Sequence, residues 1–241
     1  MYFDQSEFDI RCEWGMAGVS LLSPNSDAVV IVDVISFSTA VDVAVARGAK
    51  VYPFAWKDEL SAEFAREHGA LLAAASRRDP DGYSLAPTSL VRLPPGASIV
   101  LPSPNGSALS LAVGSTPAFA GCLRNAAVVA RAAGALGRQV SVIPAGERWP
   151  DGELRPALED LLGAGAIIHH LPGSRSPEAE VAEAAFLQFR ERLHEMLSAC
   201  SSGKEAADRG SAEDVRMMSA INISSSVPRL INGAYVNYAS V

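Results

Sequence analysis

Residues 28–51 have the sequence AVVIVDVISFSTAVDVAVARGAKV, and their pattern predicts the class of the fold. The β-branched run over Val29–Val34 is typical of a strand that is buried on both faces, as in a parallel sheet. The alanine-rich segment from Ser38 predicts a helix that closes at Gly48, and Lys50–Phe54 predicts a second strand. This order of elements favours a parallel sheet covered by helices.

The alternation of strands and helices continues along the chain. A helix is predicted over Asp58–His68, and further strands are predicted over Ser98–Leu101, Pro117–Gly121 and residues 139–143. Residues 78–97 are rich in Pro, Gly, Asp and Ser, which indicates a long surface loop. We therefore predict an α/β protein, a three-layer α/β/α fold with a mixed, mainly parallel sheet.

The last part of the chain is predicted to be mostly helical. Residues 177–200 have the clearest amphipathic pattern, and the polar residues 201–216 begin one or two more helices. We expect residues 1–241 to form a single unit; an alternative with two lobes places the boundary near residues 130–140.

The composition excludes several classes of protein. Hydrophobic residues make up 49% and charged residues 20%, as in globular proteins. The net charge is −7 without any Lys/Arg run, so we expect no nucleic-acid partner. The three cysteines are far apart and outside any CxxC, which argues against disulfides and structural zinc. Without a secretory signal or an apolar run of about 20 residues, the expectation is a cytoplasmic protein with no membrane partner.

Polar residues follow three of the predicted strands. In an open α/β sheet, ligands bind beyond the carboxyl ends of the strands. If these strands are neighbours, we expect the three polar groups to converge on one crevice. In chain order the candidates are Asp33, Ser36, Ser38 and Thr39, then Ser103, Asn105, Gly106 and Ser107, then Gly146, Glu147 and Arg148, with Glu159 and Asp160 on the following helix.

These residue types suit phosphoryl transfer. Hydroxyls and a glycine before a helix place free N–H groups where an anion such as phosphate binds. The four carboxylates are oxygen ligands of the kind that Mg²⁺ prefers. Arg148 has the forked geometry that binds phosphate or sulfonate. A metal beside an anion-binding loop offsets charge on the leaving oxygens.

Structural interpretations of the same residues stay open. Asp33 suits a strand-end carboxylate that binds loop N–H groups, and Ser38 and Ser107 suit ordinary helix N-caps. Asn105-Gly106 is a strong turn signal by itself, and carboxylates on a helix, such as Glu159 and Asp160, are commonly exposed. The residues alone therefore predict an α/β protein with an anion-binding crevice.

Six motifs in order resemble the 2-phosphosulfolactate phosphatase family, also called the ComB family. The segment VVIVDVISFSTAVDVAVARGAKV looks like that family's strand, Asp-Val-Leu-Arg-Ala-Thr-Thr-Thr loop and helix. The resemblance covers residues 28–236. The other motifs are SPNGSAL, GCLRNAAVVA, VSVIPAGE with ALEDLLGAGAII, SGKEAADRGSAEDV and VPRLINGAYV.

The resemblance implies Mg²⁺-dependent hydrolysis of 2-phosphosulfolactate to sulfolactate and phosphate. From residue chemistry we assign Asp33, Glu159 and Asp160 to the metal, and Asp33, Glu147 and Arg148 to catalysis. A homodimer is also expected. The predicted substrate-binding residues are Ser36, Ser38, Thr39, Ser103, Asn105, Gly106, Ser107, Asn125 and Gly146.

The chain departs from the family pattern where anions are expected to bind. Ser36 replaces the arginine of Asp-Val-Leu-Arg, and Arg77 and Arg78 are the candidates to compensate. A substrate with phosphate and sulfonate requires cationic recognition, so the change bears on the substrate more than on the fold. The leading hypothesis is a phosphatase for 2-phosphosulfolactate or a related small phosphorylated acid. The alternatives are a non-catalytic small-anion-binding protein on the same scaffold and a structural subunit without a ligand.

Overall fold

A large mixed sheet, flanked by helices, forms the centre of the protein. The computed structural model describes residues 3–55, 59–73, 82–209 and 212–238. The strands are β1 (Ile10–Cys12), β2 (Ala28–Val32), β3 (Lys50–Phe54), β4 (Leu71–Leu72), β5 (Ser98–Pro102), β6 (Ala118–Gly121), β7 (Val140–Pro144), β8 (Glu147–Arg148), β9 (Leu154–Arg155), β10 (Pro228–Ile231) and β11 (Ala234–Asn237). The helices are α1 (Gly15–Leu22), α2 (Phe37–Ala46), α3 (Glu59–Glu67), α4 (Pro87–Leu90), α5 (Gly106–Ala112), α6 (Ala126–Gly134), α7 (Leu158–His169), α8 (Pro177–Phe189), α9 (Leu193–Ala199), α10 (Ser201–Asp208) and α11 (Ala212–Met218).

The sheet consists of two parallel blocks joined by a hairpin. The strand order is β1-β7-β2-β6-β10-β11-β3-β5-β4, and β8 and β9 form a separate ribbon. Strands β1, β7, β2 and β6 are parallel to one another, as are β3, β5 and β4. The β10–β11 hairpin connects the blocks through three antiparallel pairings, so the two blocks run in opposite directions. The α/β prediction with a mixed, mainly parallel sheet is confirmed.

Strand β2 is buried on both faces, as its sequence predicts, and helix α2 is buried over most of its length. Every residue of β2 has zero exposure, because β2 lies between β6 and β7. Helix α2 packs against β3, β6 and β11, which buries all of its residues from Phe37 to Val45. The chain leaves α2 at Gly48, whose φ of 75° suits the residue that follows a helix end.

The C-terminal hairpin ties the two blocks to the helices at the site. Asn232 and Gly233 form its two-residue turn with φ of 51° and 81°, values typical of tight hairpins. Tyr235 on β11 is fully buried, and its hydroxyl lies 2.7 Å from Ser110 Oγ on α5. Its ring meets the Phe37 ring edge-on at 6.1 Å. Tyr235 therefore contacts both α2 and α5.

Two sequence predictions need correction. The expected single helix over residues 177–200 is divided into α8 and α9, because α8 packs along α7 and β1 whereas α9 packs mainly on α10 and α11. The predicted surface loop over residues 78–97 contains α4 in its described part, and Leu90 and Leu93 there are fully buried in the core. Within the described ranges, no helix is both long and apolar enough to cross a membrane.

Candidate active site

The loops that follow β2, β5 and β7 meet at one place. Strands β2 and β7 are neighbours, but β5 belongs to the other parallel block. The backbone N–H of Gly106, after β5, nevertheless donates to Asp33 Oδ2, after β2, at 2.9 Å. Asn105 Nδ2 donates to Glu147 Oε2, after β7, at 2.9 Å. The expected convergence is observed, although it does not require three adjacent strands.

Asp33 connects the first turns of two helices. Its Oδ1 accepts the Phe37 N–H at 3.0 Å and its Oδ2 accepts the Gly106 N–H at 2.9 Å. Phe37 begins α2 and Gly106 begins α5, so the carboxylate lies where both helices present N–H groups. Burial raises the pKa of Asp33, the two N–H bonds oppose this rise, and the charge of Glu159 adds to it.

Glycine is required at position 106. A Cβ atom there would lie 2.2 Å from a ring carbon of Phe37 and 2.8 Å from Asp33 Oδ2. These distances are too short for any side chain. The same holds at Gly146, where φ is 69° and a Cβ would lie 2.7 Å from the Leu154 side chain.

The hydroxyls of Ser38, Thr39 and Ser107 are fully buried and donate to backbone carbonyls. Ser38 Oγ also accepts the Asp33 N–H at 3.0 Å. These bonds fasten the loops to the strands, and the assignment of the three hydroxyls to phosphate stays a prediction. The carbonyl acceptors are those of Ile31 at 3.1 Å, Val34 at 2.8 Å and Leu101 at 2.8 Å, respectively.

Glu147 is a carboxyl group whose pKa lies near neutrality. It begins the β8–β9 ribbon, is partly buried and accepts the bond from Asn105. Burial, followed by the charge of Asp33, raises its pKa to about 7, while the bond from Asn105 and the charge of Arg155 lower it. A carboxyl group with a pKa near the working pH exchanges a proton readily.

Glu159 and Asp160 lie at the start of α7 and are 2% and 3% exposed. The alternative that they are exposed helix carboxylates is therefore wrong. Asp160 accepts the N–H of Val34 at 2.7 Å and of Gly146 at 2.9 Å, so it joins the loops after β2 and β7. Its pKa is raised well above the ordinary value by burial and then by the charge of Glu159. The Cys200 thiol donates to Glu159 Oε2 at 3.4 Å.

The remaining predicted site residues have different surroundings. Ser36 is buried just before α2, and Ser103 Oγ accepts the Asn105 N–H at 3.3 Å. Arg148 is exposed, and its Nη1 donates to the Gly152 carbonyl across the ribbon at 3.0 Å. The buried Asn125 amide holds its own loop: it accepts the Cys122 N–H at 2.9 Å and donates to the Ala120 carbonyl at 3.3 Å. Arg77 and Arg78 lie outside the described residues.

A pocket opens beside Asn105 and Glu147. Its volume is about 560 Å³ when the open space at its mouth is included. Apolar side chains of α1, α5 and the ribbon form most of its wall. The residues that bear on its chemistry are Trp14, Met16, Asn105, Leu109, Glu147, Arg148 and Leu154.

The sequence model of a family described as 2-phosphosulpholactate phosphatase matches residues 20–233. The chain belongs to this family. A 2-phosphosulfolactate phosphatase of Methanothermobacter thermautotrophicus is 29% identical over 199 residues, which cover 83% of this chain and 84% of the relative. A probable 2-phosphosulfolactate phosphatase of Carboxydothermus hydrogenoformans is 29% identical over 220 residues, 86% of this chain and 88% of the relative. The sequence resemblance is confirmed, and the family takes its name from a phosphoric monoester hydrolase.

The carboxylates of this member of the 2-phosphosulfolactate phosphatase family suit a cation with few protein ligands. Asp33, Glu147 and Asp160 have raised pKa values, caused first by burial and in part by the charges of neighbouring carboxylates, and a nearby cation would relieve both effects. Within the described ranges, no three or more His, Cys, Asp or Glu side chains are arranged to hold a metal ion. Mg²⁺ commonly binds proteins through one or two carboxylates, with water and substrate phosphate completing its shell, and its binding at these residues stays a prediction.

Sequence reasoning missed the pocket wall and two contacts to the carboxylates. Trp14 and Met16 belong to the segment around α1, which was not predicted, although buried Gly15, Val19 and Leu22 have helical spacing. The effect of Arg155 on Glu147 and the bond from Cys200 to Glu159 arise from tertiary contacts that no local pattern indicates.

Proposed function

We propose that the protein is a Mg²⁺-dependent phosphatase that hydrolyses 2-phosphosulfolactate or a related small phosphorylated 2-hydroxy acid. The observation that carries the proposal is the meeting of Asp33, Gly106, Asn105 and Glu147, whose two hydrogen bonds link positions 73 and 42 residues apart in the chain. Family membership supports the reaction class, because both relatives are named after this activity.

The hydrolysis transfers a phosphoryl group to water. Water adds to phosphorus, the bond between phosphorus and the ester oxygen breaks, and phosphate and the hydroxy acid are released. Glu147 takes a proton from the attacking water and returns it to the departing alkoxide oxygen. Its pKa of about 7 suits both steps. Asn105 holds Glu147 Oε2 at 2.9 Å, which leaves Oε1 as the oxygen that takes the proton.

The other residues bind and orient the substrate. Asp33 holds the starts of α2 and α5 together, so the two loops keep a fixed spacing around the phosphate. Arg148, on the ribbon, binds an anionic group of the substrate. Glu159 and Asp160 would hold Mg²⁺, which when bound offsets the negative charge of the phosphate oxygens.

Phosphate release tests this proposal directly. The purified protein is assayed with 2-phosphosulfolactate and a panel of small phosphorylated acids, first with Mg²⁺ and then with EDTA. We expect turnover that EDTA abolishes and that Glu147→Gln lowers by roughly 100-fold or more. Glu153→Gln, on an exposed residue of the same hairpin, is the control and should keep full activity. Binding of phosphate without turnover would instead support the non-catalytic anion-binding function.

A further inference from the structure

We propose that the pocket beside Glu147 selects phosphorylated 2-hydroxy acids whose third carbon carries an apolar group rather than a sulfonate. This inference rests on the proposed phosphatase function and specifies its substrate. It concerns the part of the substrate that does not react, because Asn105 and Glu147 line the pocket together with apolar side chains, whereas Asp33, Glu159 and Asp160 do not line it.

The wall of the pocket is mostly apolar. Trp14 and Met16 come from the segment around α1, Leu109 from α5 and Leu154 from the ribbon. Met16 and Leu154 line this pocket, and they are 43% and 42% exposed. Exposed apolar side chains at the mouth of a pocket are typical of a surface that a ligand covers.

Among the described residues that line the pocket, the charges do not suit a second strong anion. Arg148 is the one cation among the described residues that line the pocket. Glu147 lines the same pocket with a carboxylate. A phosphorylated 2-hydroxy acid already brings a carboxylate, which needs that cation, in addition to the phosphate held at the starts of α2 and α5. A sulfonate would add a negative charge against apolar carbon without a partner, which is unfavourable. The same wall favours an alkyl or aryl group, whose burial removes apolar surface from water.

Arg155 does not add a second cation to the wall of the pocket. Its guanidinium lies 5.7 Å from the centre of the Trp149 ring, and its Nη2 donates weakly to Ser202 Oγ at 3.4 Å. It is not among the residues that line the pocket. Arg155 is the cross-strand partner of Glu147 in the β8–β9 ribbon, and its charge lowers the pKa of Glu147.

A matched substrate series tests the inference. It consists of 2-phospholactate and its analogues with a sulfonate, an isopropyl or a phenyl group on the third carbon. We expect kcat/KM for the apolar analogues to exceed that for the sulfonate by roughly tenfold or more, the range that small differences in an apolar pocket produce. A sulfonate analogue hydrolysed as fast as the apolar ones would overturn the inference.

Substitutions of Met16 link the preference to the pocket. Met16→Arg adds a cation at the mouth and should shift the ratio of kcat/KM toward the sulfonate analogue by roughly tenfold. Met16→Gln keeps the length without charge and should lower hydrolysis of the apolar analogues without helping the sulfonate. Val181→Arg is the control for charge alone, because Val181 is 62% exposed on α8 and outside the pocket lining. An unchanged ratio in both Met16 variants would contradict the inference.

Calorimetric binding of the product hydroxy acids separates this inference from the proposed function. If the apolar products bind more tightly but no substrate is hydrolysed, the pocket assignment stands and the phosphatase function is wrong. If hydrolysis occurs and the sulfonate ranks first in both assays, the function stands and the pocket assignment is wrong. If nothing is hydrolysed and no product binds, both are wrong.

Discussion

The Asp33 carboxylate accepts a hydrogen bond of 2.9 Å from the backbone N–H of Gly106, which belongs to the other parallel block of the sheet. The second oxygen of the same carboxylate accepts the Phe37 N–H at 3.0 Å. One side chain thus fixes the distance between helices that start from oppositely directed strands. The carboxylate has a structural role and a place at the candidate site at once, so the two interpretations of Asp33 do not exclude each other.

Asp33→Asn should affect stability as well as turnover. The amide keeps one acceptor oxygen but turns its NH₂ toward one of the two N–H groups, which leaves a buried donor unpaired. We expect a loss of about 1–3 kcal/mol in the free energy of unfolding, measured by urea denaturation. Phosphate release should also be lost.

Asp27→Asn is the matched control for this substitution. Asp27 accepts one N–H bond, from Gln139 at 2.9 Å, and is exposed, so the change should be within about 0.5 kcal/mol. An Asp33→Asn protein with the stability and turnover of the wild type would show that the carboxylate does not hold the two helices together.

Gly106→Ala tests the close approach of α5 to Asp33. The added Cβ would lie 2.2 Å from a Phe37 ring carbon, so the helix start must move and the Asp33 bond must lengthen. We expect a loss of about 1–3 kcal/mol in the free energy of unfolding, together with reduced phosphate release.

Gly134→Ala is the control, because the Cβ would meet the Leu171 side chain at an ordinary 3.5 Å in helix α6. It should be neutral or stabilise the protein by about 0.4–1 kcal/mol. Equal effects of the two substitutions would show that the loss of glycine, and not the contact with Phe37, determines the result.

The local elements were predictable because their signals are local. The buried run of β2 and the small-residue helix α2 follow from periodicity within 20 or so residues. The β10–β11 hairpin was missed although Asn232-Gly233 between apolar residues is a strong hairpin signal. That hairpin reverses the second block of the sheet, so the full topology could not be predicted without it.

The environment of the carboxylates was not predictable from the sequence. Glu159 and Asp160 begin a helix, a position that is exposed in many proteins. Here backbone N–H groups of two loops surround Asp160, and the Cys200 thiol from the start of α10 contacts Glu159. Burial of this kind depends on segments 14 to 126 residues away along the chain. The sequence therefore predicts that the loops after β2, β5 and β7 meet, but neither the tertiary contacts of each carboxylate nor how far its pKa shifts.

A buried network around Asp42 is expected to stabilise the fold away from the candidate site. Asp42 has no exposure and accepts bonds from Arg124 Nε at 2.8 Å, Ser224 Oγ at 2.6 Å and Ser226 Oγ at 2.5 Å. Asp42→Ala leaves Arg124 without its partner, so we expect a loss of about 3–5 kcal/mol, measured by urea denaturation.

The exposed pair of Arg138 and Asp9 provides the comparison. Arg138 is 85% exposed and lies 3.1 Å from Asp9, so Arg138→Ala should cost at most about 1 kcal/mol. Similar losses for the two substitutions would contradict a dominant role of the Asp42 network.

The stability of the metal-free protein should fall as the pH rises through the range in which Glu147 ionises. Burial raises the pKa of Glu147 from 4.5 to about 7, so the folded protein binds this proton more tightly than the unfolded chain. The resulting stabilisation is complete below about pH 4.5 and is lost as the pH rises through about 7. The pKa values of Asp33 and Asp160 shift in the same direction and add to the effect.

Urea denaturation at pH 5.5 and pH 8 with EDTA measures this dependence. We expect a lower free energy of unfolding at pH 8 in the wild type and a smaller decrease in Glu147→Gln, because glutamine does not ionise. Glu153→Gln should keep the wild-type decrease, since Glu153 is exposed on the same hairpin. Added Mg²⁺ should restore more stability at pH 8 than at pH 5.5, because the ionised carboxylates bind the cation and the protonated ones do not. If Glu147→Gln keeps the full wild-type decrease, Glu147 does not carry the shifted proton and Asp33 or Asp160 becomes the group to substitute next.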